Sequence, residues 1–150
     1  MRSSNSYGRD NPLVNDEDVK DHSAIGASIE KDGKILVFKH VKYGWWTIPI
    51  GKVKDGEKIE ATLHDEILEE LGIEILEYKK LGDFTKTYDR GSGIKTKIDM
   101  NIFRITNYQG RIKNKEPDKH TDLCWLTPEE ILKTGCVSDA TLYYILMTWS

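Results

Sequence analysis

Apolar and polar positions fall into blocks of different period along this chain. His22-Ser-Ala-Ile-Gly-Ala-Ser-Ile-Glu30 predicts a strand. Lys31-Asp32-Gly33 predicts a turn, because Asp-Gly tolerates positive φ, and Lys34-Ile-Leu-Val-Phe-Lys-His40 predicts the return strand. Trp46-Thr-Ile-Pro-Ile50 is short and extended, since Pro49 biases Ile48 away from the helical region. From Glu57 to Leu71 the period changes. Ile59, Leu63, Ile67 and Leu71 recur every four residues and form the apolar stripe of a helix. Gly72 stands where a left-handed C-terminal cap is wanted.

Strands follow near Ile75–Tyr88 and Lys95–Thr106, joined by a loop holding Gly91 and Gly93. Leu123-Cys-Trp-Leu126 predicts a short strand before a helix opened by Thr127-Pro128, with Pro at its first position. A last helix, Ser138 to Thr148, begins at a Ser-Asp cap, and Leu142, Ile145 and Leu146 with Tyr143 predict its packing face. The expectation is one α/β (α+β) domain over residues 22–150. Residues 1–21 are rich in Ser, Asn and Asp without periodicity and predict a polar N-terminal arm or a strap over the surface.

Composition narrows the class. A length of 150 residues is one domain's worth. Charged residues make up 31% but the net charge is only −3, so no stable nucleic-acid partner is expected. No apolar run approaches the ~20 residues of a membrane span. The first 21 residues hold no apolar core of a secretory leader, so none is expected. Cys124 and Cys136 make no disulfide framework and no CxxC pair, and two unpaired thiols in a reducing, cytoplasmic setting are expected.

The net charge hides a concentration. Asp55 to Glu74 contains eight acids and one base, Lys58, and carries −7, while the other 130 residues carry +4. Glu66, Glu69 and Glu70 are spaced i, i+3 and i+4 and share one helix face opposite the apolar stripe, bordered by Asp65. Like charges at that spacing destabilise a helix by roughly 0.2–0.5 kcal/mol per pair. Two readings account for such a face: a solvated surface, or a site for a hard dication such as Mg²⁺ or Mn²⁺, which prefers oxygen ligands and bridges carboxylates to phosphates.

The flanks decide between them. Gly51-Lys-Val-Lys-Asp-Gly-Glu57-Lys-Ile-Glu-Ala-Thr-Leu-His-Asp65-Glu66-Ile-Leu-Glu69-Glu70-Leu-Gly72-Ile73 resembles the Nudix box, Gly-x5-Glu-x7-Arg-Glu-U-x-Glu-Glu-x-Gly-U with U aliphatic. Eight of its nine fixed positions match. Trp46-Thr-Ile-Pro-Ile-Gly51 resembles the usual lead-in to the box. Glu116-Pro-Asp-Lys-His120 and Trp125-Leu-Thr-Pro-Glu resemble segments of nucleotide-hydrolysing, MutT-type members of the Nudix hydrolase family. The resemblance spans about His22 to Leu146.

That resemblance implies a mixed sheet sandwiched between helices and metal-dependent hydrolysis of a nucleoside diphosphate linked to another group. It implies Glu66, Glu69 and Glu70 as metal ligands, with Glu66 also the base for water. It implies Glu57 as a supporting or water-bridging acid, the backbone carbonyl of Ile50 as a further ligand, and Glu116 as an extra acid from a loop opposite the helix. The expected cofactor is Mg²⁺ or Mn²⁺, and the expected partner a small nucleotide, with a homodimer also open.

Two positions depart from the pattern: Asp65 stands where the box has Arg, and Ile50 replaces the first Gly of Gly-Gly. The first departure leaves open a substitute lysine, tighter metal binding or a weakly catalytic nucleotide-binding module. Substrate contacts are expected from Lys39, Trp45, Tyr88 and Lys119, with Tyr43, Phe84 and His120 as further candidates. Trp46 and Trp125 are expected in the core, and His22, His40 and His64 in structural or surface places. Small size and the Glu-Pro-Asp-Lys segment favour a nucleoside triphosphate cleaved to monophosphate and pyrophosphate. ADP-ribose, NADH or a dinucleotide is the alternative, and a capped or triphosphorylated RNA end a third.

Overall fold

The run Ile35-Leu-Val-Phe38 is apolar at every position, and the computed structural model shows why: its strand is buried on both faces. Leu36 and Phe38 enter one core, while Ile35 and Val37 enter another. The structure describes residues 19–148; the predicted arm up to residue 18 lies outside them. The last residues of that predicted arm are tied to the domain. The backbone carbonyl of Val19 accepts the Thr96 hydroxyl, and the Asp21 carboxylate accepts the Lys97 amide at 2.9 Å.

The elements are β1 (His22–Ser28), β2 (Glu30–Lys31), β3 (Lys34–His40), β4 (Trp46–Thr47), β5 (Ile50–Val53), α1 (Ile59–Leu71), β6 (Glu74–Gly91), β7 (Ile94–Gln109), β8 (His120–Leu126), α2 (Pro128–Lys133) and α3 (Asp139–Thr148). One four-stranded sheet has the order β5-β1-β7-β6. In it β1 runs parallel to β7 and antiparallel to β5, and β6 and β7 form one long hairpin. The second sheet joins β2, β3 and β4, with β8 on the other side of β3. The predicted segment Trp46–Ile50 is therefore divided: Trp46–Thr47 pairs in the second sheet and Ile50 starts a strand of the first.

Alternation sorts the side chains. Ile25, Ala27, Phe103 and Ile105 meet Leu63, Ile67 and Leu71 of α1 in the first core. Ala24, Met100 and Ile102 meet Ile131 of α2 and Ala140, Tyr144 and Ile145 of α3 in the second. The result is the expected mixed sheet layer between helices. Strands covered on both sides read as continuous apolar runs, which is the pattern at Ile35–Phe38. Trp46 packs against the second core and Trp125 against the first, each half-buried.

Two helix expectations need correction. α1 opens at Ile59, not Glu57, because Lys58 is extended (φ −86°, ψ 147°). Glu57 instead closes the preceding turn: its carboxylate accepts the Lys54 amide at 3.0 Å and the Thr62 hydroxyl at 3.1 Å. The C-terminal end is as predicted, with Gly72 left-handed (φ 73°) and its N–H on the Leu68 carbonyl. In α3 the buried residues are Ala140, Thr141, Tyr144 and Ile145; of the predicted face Ile145 is buried, Tyr143 packs against the second core and Leu142 is half-buried, but Leu146 is 81% exposed. α2 carries the full capping box between Thr127 and Glu130.

Candidate active site

The apolar stripe that docks α1 on the first core turns its acids toward β5. Glu66 is half-buried, Glu70 is only 3% exposed and Glu69 is open to solvent. Gly51, at the start of β5, lets Glu66 approach closely. A Cβ there would stand 2.4 Å from Glu66 Cγ and 2.6 Å from Oε1, so no side chain fits without moving the carboxylate. This contact gives the box glycine its reason.

The fourth acid arrives from a loop. After β7 the chain crosses the C-terminal end of α1, where the Lys113 amide donates to the Leu71 carbonyl and the Lys115 amide to the Glu70 carbonyl, both at 3.0 Å. These bonds satisfy carbonyls that a helix end leaves without an internal partner. They also deliver Glu116, whose backbone carbonyl accepts the amides of Lys119 and His120 at 2.9 and 3.0 Å. Lys119 Nζ lies 3.5 Å from Glu116 Oε2.

The electrostatics follow from this crowding. Burial pushes the Glu66 carboxyl upward, and the charges of Glu69 and Glu116 add to the push. Burial, a hydrogen bond to Glu66 and the charges of Glu66 and Glu116 hold Glu70 protonated well above the ordinary carboxylate range. Glu70 Oε1 is buried with no hydrogen-bond partner. Lys119 is the cation that moderates both groups. Asp65, the acid at the box Arg position, is exposed. Glu57 is absent from the charges that shift Glu66 and Glu70, and its bonds place it in the turn before α1.

Among the described residues no three acids, histidines or cysteines are already drawn into a closed metal cluster. The donor set nevertheless fits a dication. It offers hard oxygen donors, one of them a buried oxygen without a partner, around a cradle that Gly51 keeps open. Lys119 is the cation among the described residues that lowers the proton affinity of Glu66 and Glu70.

A cavity of about 250 Å³ is lined in part by Gly51, the residue against which Glu66 packs. Ile50 and Gly51 form part of its floor, and Tyr43, Trp45 and Tyr88 line it together with His22, His40, Lys52 and Arg90. Tyr43 and Trp45 lie 4.8 Å apart at 39°. Tyr88 is locked by α3: its hydroxyl donates to Asp139 Oδ2 at 2.6 Å, and Lys86 Nζ reaches the same oxygen at 3.0 Å. The cavity thus meets Tyr88 as a ring, its hydroxyl already committed to Asp139.

The structure brings Tyr43, Trp45 and Tyr88 together as expected for a stacking surface. Phe84 is elsewhere, packed 4.6 Å from Tyr143 beside the second core. Lys39 is exposed on β3 and does not line the cavity, whereas its neighbour His40 does. Sequence reasoning assigned His22 and His40 to structural or surface places; both line this cavity, as does Lys52. The signal lies in register, since β3 pairs His40 with His120 next to the Glu116 loop. Cys124 and Cys136 are free thiols, as expected. No helix among the described residues is long and apolar enough to cross a membrane.

Comparison with known proteins agrees with this architecture. The chain matches the NUDIX domain model over residues 20–144. It is 30% identical over 113 residues to the CTP pyrophosphohydrolase of Escherichia coli strain K12, covering 73% of this chain and 78% of that one. Nucleoside triphosphatase NudI of the same strain is 33% identical over 125 residues, covering 76% of this chain and 87% of that one. A crystal structure of a MutT NUDIX hydrolase from Burkholderia pseudomallei aligns with a TM-score of 0.72 at 26% identity, over 86% of this chain and 98% of that chain. The chain belongs to the Nudix family of hydrolases, which act on phosphoric anhydrides.

Proposed function

We propose that this protein uses a divalent metal, Mg²⁺ or Mn²⁺, to hydrolyse a nucleoside triphosphate to the monophosphate and pyrophosphate. The observation that carries the reading is a shared floor. Ile50 and Gly51 line the aromatic cavity, and Gly51 is also the residue against which Glu66 packs. A base held in the cavity therefore leaves its phosphates directed at the acids. A cavity of about 250 Å³ suits one nucleoside better than the two of a dinucleotide. The similarity to a CTP pyrophosphohydrolase and a nucleoside triphosphatase supports the same substrate class.

In this reading Glu66, Glu69 and Glu70, the Ile50 carbonyl and Glu116 hold the metal. When bound, it polarises a phosphoryl oxygen, lowers the pKa of water and offsets the charge of the leaving phosphate. Glu66, whose proton affinity is raised by burial, accepts the proton of the attacking water. One P–O–P bond breaks as a new P–O bond forms, and pyrophosphate departs. Lys119 balances Glu116 and meets the phosphates together with Lys52. Tyr43, Trp45 and Tyr88 exclude water and stack on the base, worth roughly 1–3 kcal/mol per base where such stacking is measured.

The test is a panel of nucleoside triphosphates, ADP-ribose and NADH with Mg²⁺ and with Mn²⁺, read by product. Monophosphate plus pyrophosphate from a triphosphate is the expected result. Two monophosphate products from ADP-ribose or NADH, with triphosphates untouched, would overturn the substrate class. Inactivity across the panel, relieved by Asp65→Arg, would make the native chain a nucleotide-binding module.

A further inference from the structure

His40 ends β3 at the wall of the aromatic cavity. Its Nδ1 accepts the backbone amide of Lys42 at 3.1 Å, which leaves the ring proton on Nε2. Neighbouring rings hold the imidazole in place. Tyr43 lies 4.9 Å away at 37°, and His120 meets it edge-on at 5.3 Å and 89°. His120 is itself stacked flat on the buried Phe38, at 3.9 Å and 8°. Its one remaining polar atom, Nε2–H, has no hydrogen bond to any described residue, so it is the atom left for a ligand.

We propose that His40 is a specificity-determining residue of the nucleotide site, reading a carbonyl oxygen of the base through a neutral Nε2–H donor. The inference rests on the reading of the cavity as a nucleotide site and adds which bases it selects. Cytosine, uracil and guanine carry a ring carbonyl; adenine does not.

The surroundings keep the donor neutral. Lys42 follows it in the turn, His120 and Lys119 face it from the segment entering β8, and His22, Lys52 and Arg90 line the same cavity from β1, β5 and β6. Burial, with smaller contributions from His120, Lys42 and Lys119, holds His40 down to about 4. A neutral N–H matches a neutral carbonyl; a phosphate is better served by a cation. His40 thus differs in kind from the lysines around the site.

The test is calorimetric titration of CTP, UTP, GTP, ATP and inorganic triphosphate, with Ca²⁺ replacing Mg²⁺ to hold turnover down. Binding is thereby read apart from catalysis. Wild-type protein should bind the three carbonyl-bearing nucleotides more tightly than ATP. His40→Phe should weaken them roughly tenfold, the loss of about one hydrogen bond, while ATP and inorganic triphosphate shift less than about twofold. His40→Gln, which restores an N–H donor, should stay within about threefold of wild type.

The ratio of CTP to ATP affinity should also be flat from about pH 5.5 to about 8, since His40 titrates near 4. This profile uses the wild-type chain, so it stands even where His40→Phe does not fold. An equal loss for inorganic triphosphate, a wild type that does not prefer the carbonyl bases, or a ratio that changes through the ordinary histidine range would each overturn the proposal. Intact base discrimination with no hydrolysis in Mg²⁺ would instead count against the hydrolase reading alone.

Discussion

Two groups of ionisable side chains, each with one buried and one half-buried member, lie near Gly51, and burial drives them in opposite directions. On the α1 side it raises the carboxyls of Glu66 and Glu70. On the cavity side it lowers the imidazoles of His40 and His120. In both places the neutral form gains, but the consequences differ. The histidines are held as neutral rings by stacking and, at His40, by a backbone amide, with His120 Nδ1 buried and unpartnered and His40 Nε2–H left open. The acids are left crowded, with one buried oxygen lacking a partner, and need an outside cation to become charged. One side needs an added charge and the other a neutral acceptor, so each is finished by a different part of a ligand.

The sharpest way to break that contrast is to remove an acid that adds to the crowding without being buried. Glu69→Gln should cut kcat/KM by roughly 100- to 1000-fold if Glu69 helps hold the metal. Its melting temperature without metal should be unchanged or higher, since one repulsive charge is lost. Unchanged turnover would remove Glu69 from the site.

Metal should act on stability next. With Mn²⁺ at 100 times its dissociation constant the folded state should gain about 2.7 kcal/mol, read as a rise in melting temperature that a chelator reverses. pH separates the two sides. Glu70 has its folded pKa above the unfolded value of 4.5, so the metal-free fold binds extra protons and loses stability as pH rises above that value. His40 has its folded pKa lowered from 6.5 to about 4, so its contribution increases with pH across that interval and is complete above it. The two trends oppose each other between 4.5 and 6.5. Above pH 6.5 the histidine's trend is complete, so any further change in the metal-free melting temperature should be a fall, and saturating metal should flatten it. A metal-free melting temperature that climbs over that range would contradict the assignment.

Gly51→Ala probes the shared floor. The new methyl would sit 2.4 Å from Glu66 Cγ, and the side chain yields more easily than the backbone. Turnover should fall about tenfold, with a stability change under about 1 kcal/mol; the reverse pattern would make Gly51 a packing residue only. The smallest effect is expected on the cavity side. Asp139→Asn loosens the acceptor shared by Tyr88 and Lys86, and should raise KM about two- to threefold with kcat unchanged.

The same division governs what the sequence made legible. The α1 face is local: Ile59, Leu63, Ile67 and Leu71 mark one side by their period, so Glu66, Glu69 and Glu70 follow on the other. The cavity is not local. His22, Tyr43, Trp45, Tyr88 and Arg90 reach it from separate segments, and only strand register brings them together. Register also divides Trp46–Ile50 between two sheets, which no short-range pattern announces. The misplaced Leu146 of α3 has a similar cause, because Tyr144 and Leu146 are both apolar enough to pack and only the docking angle decides between them. Glu57 illustrates the converse: its box position was legible, but its hydrogen bonds to Lys54 and Thr62 depend on where α1 begins.

The clasp between the chain after β7 and the end of α1 restricts how this molecule can change. Two backbone bonds, from Lys113 and Lys115, set the number of residues between Gln109 and Glu116. An insertion or deletion there would shift Glu116 and uncap the helix in one event. The β6–β7 turn at Ser92 and Gly93 has no such tie among the described residues, and a Cβ at Gly93 would meet open space. Length variation should collect at the turn and be purged from the clasp, so new loops can be grafted at the hairpin tip without disturbing the chemistry.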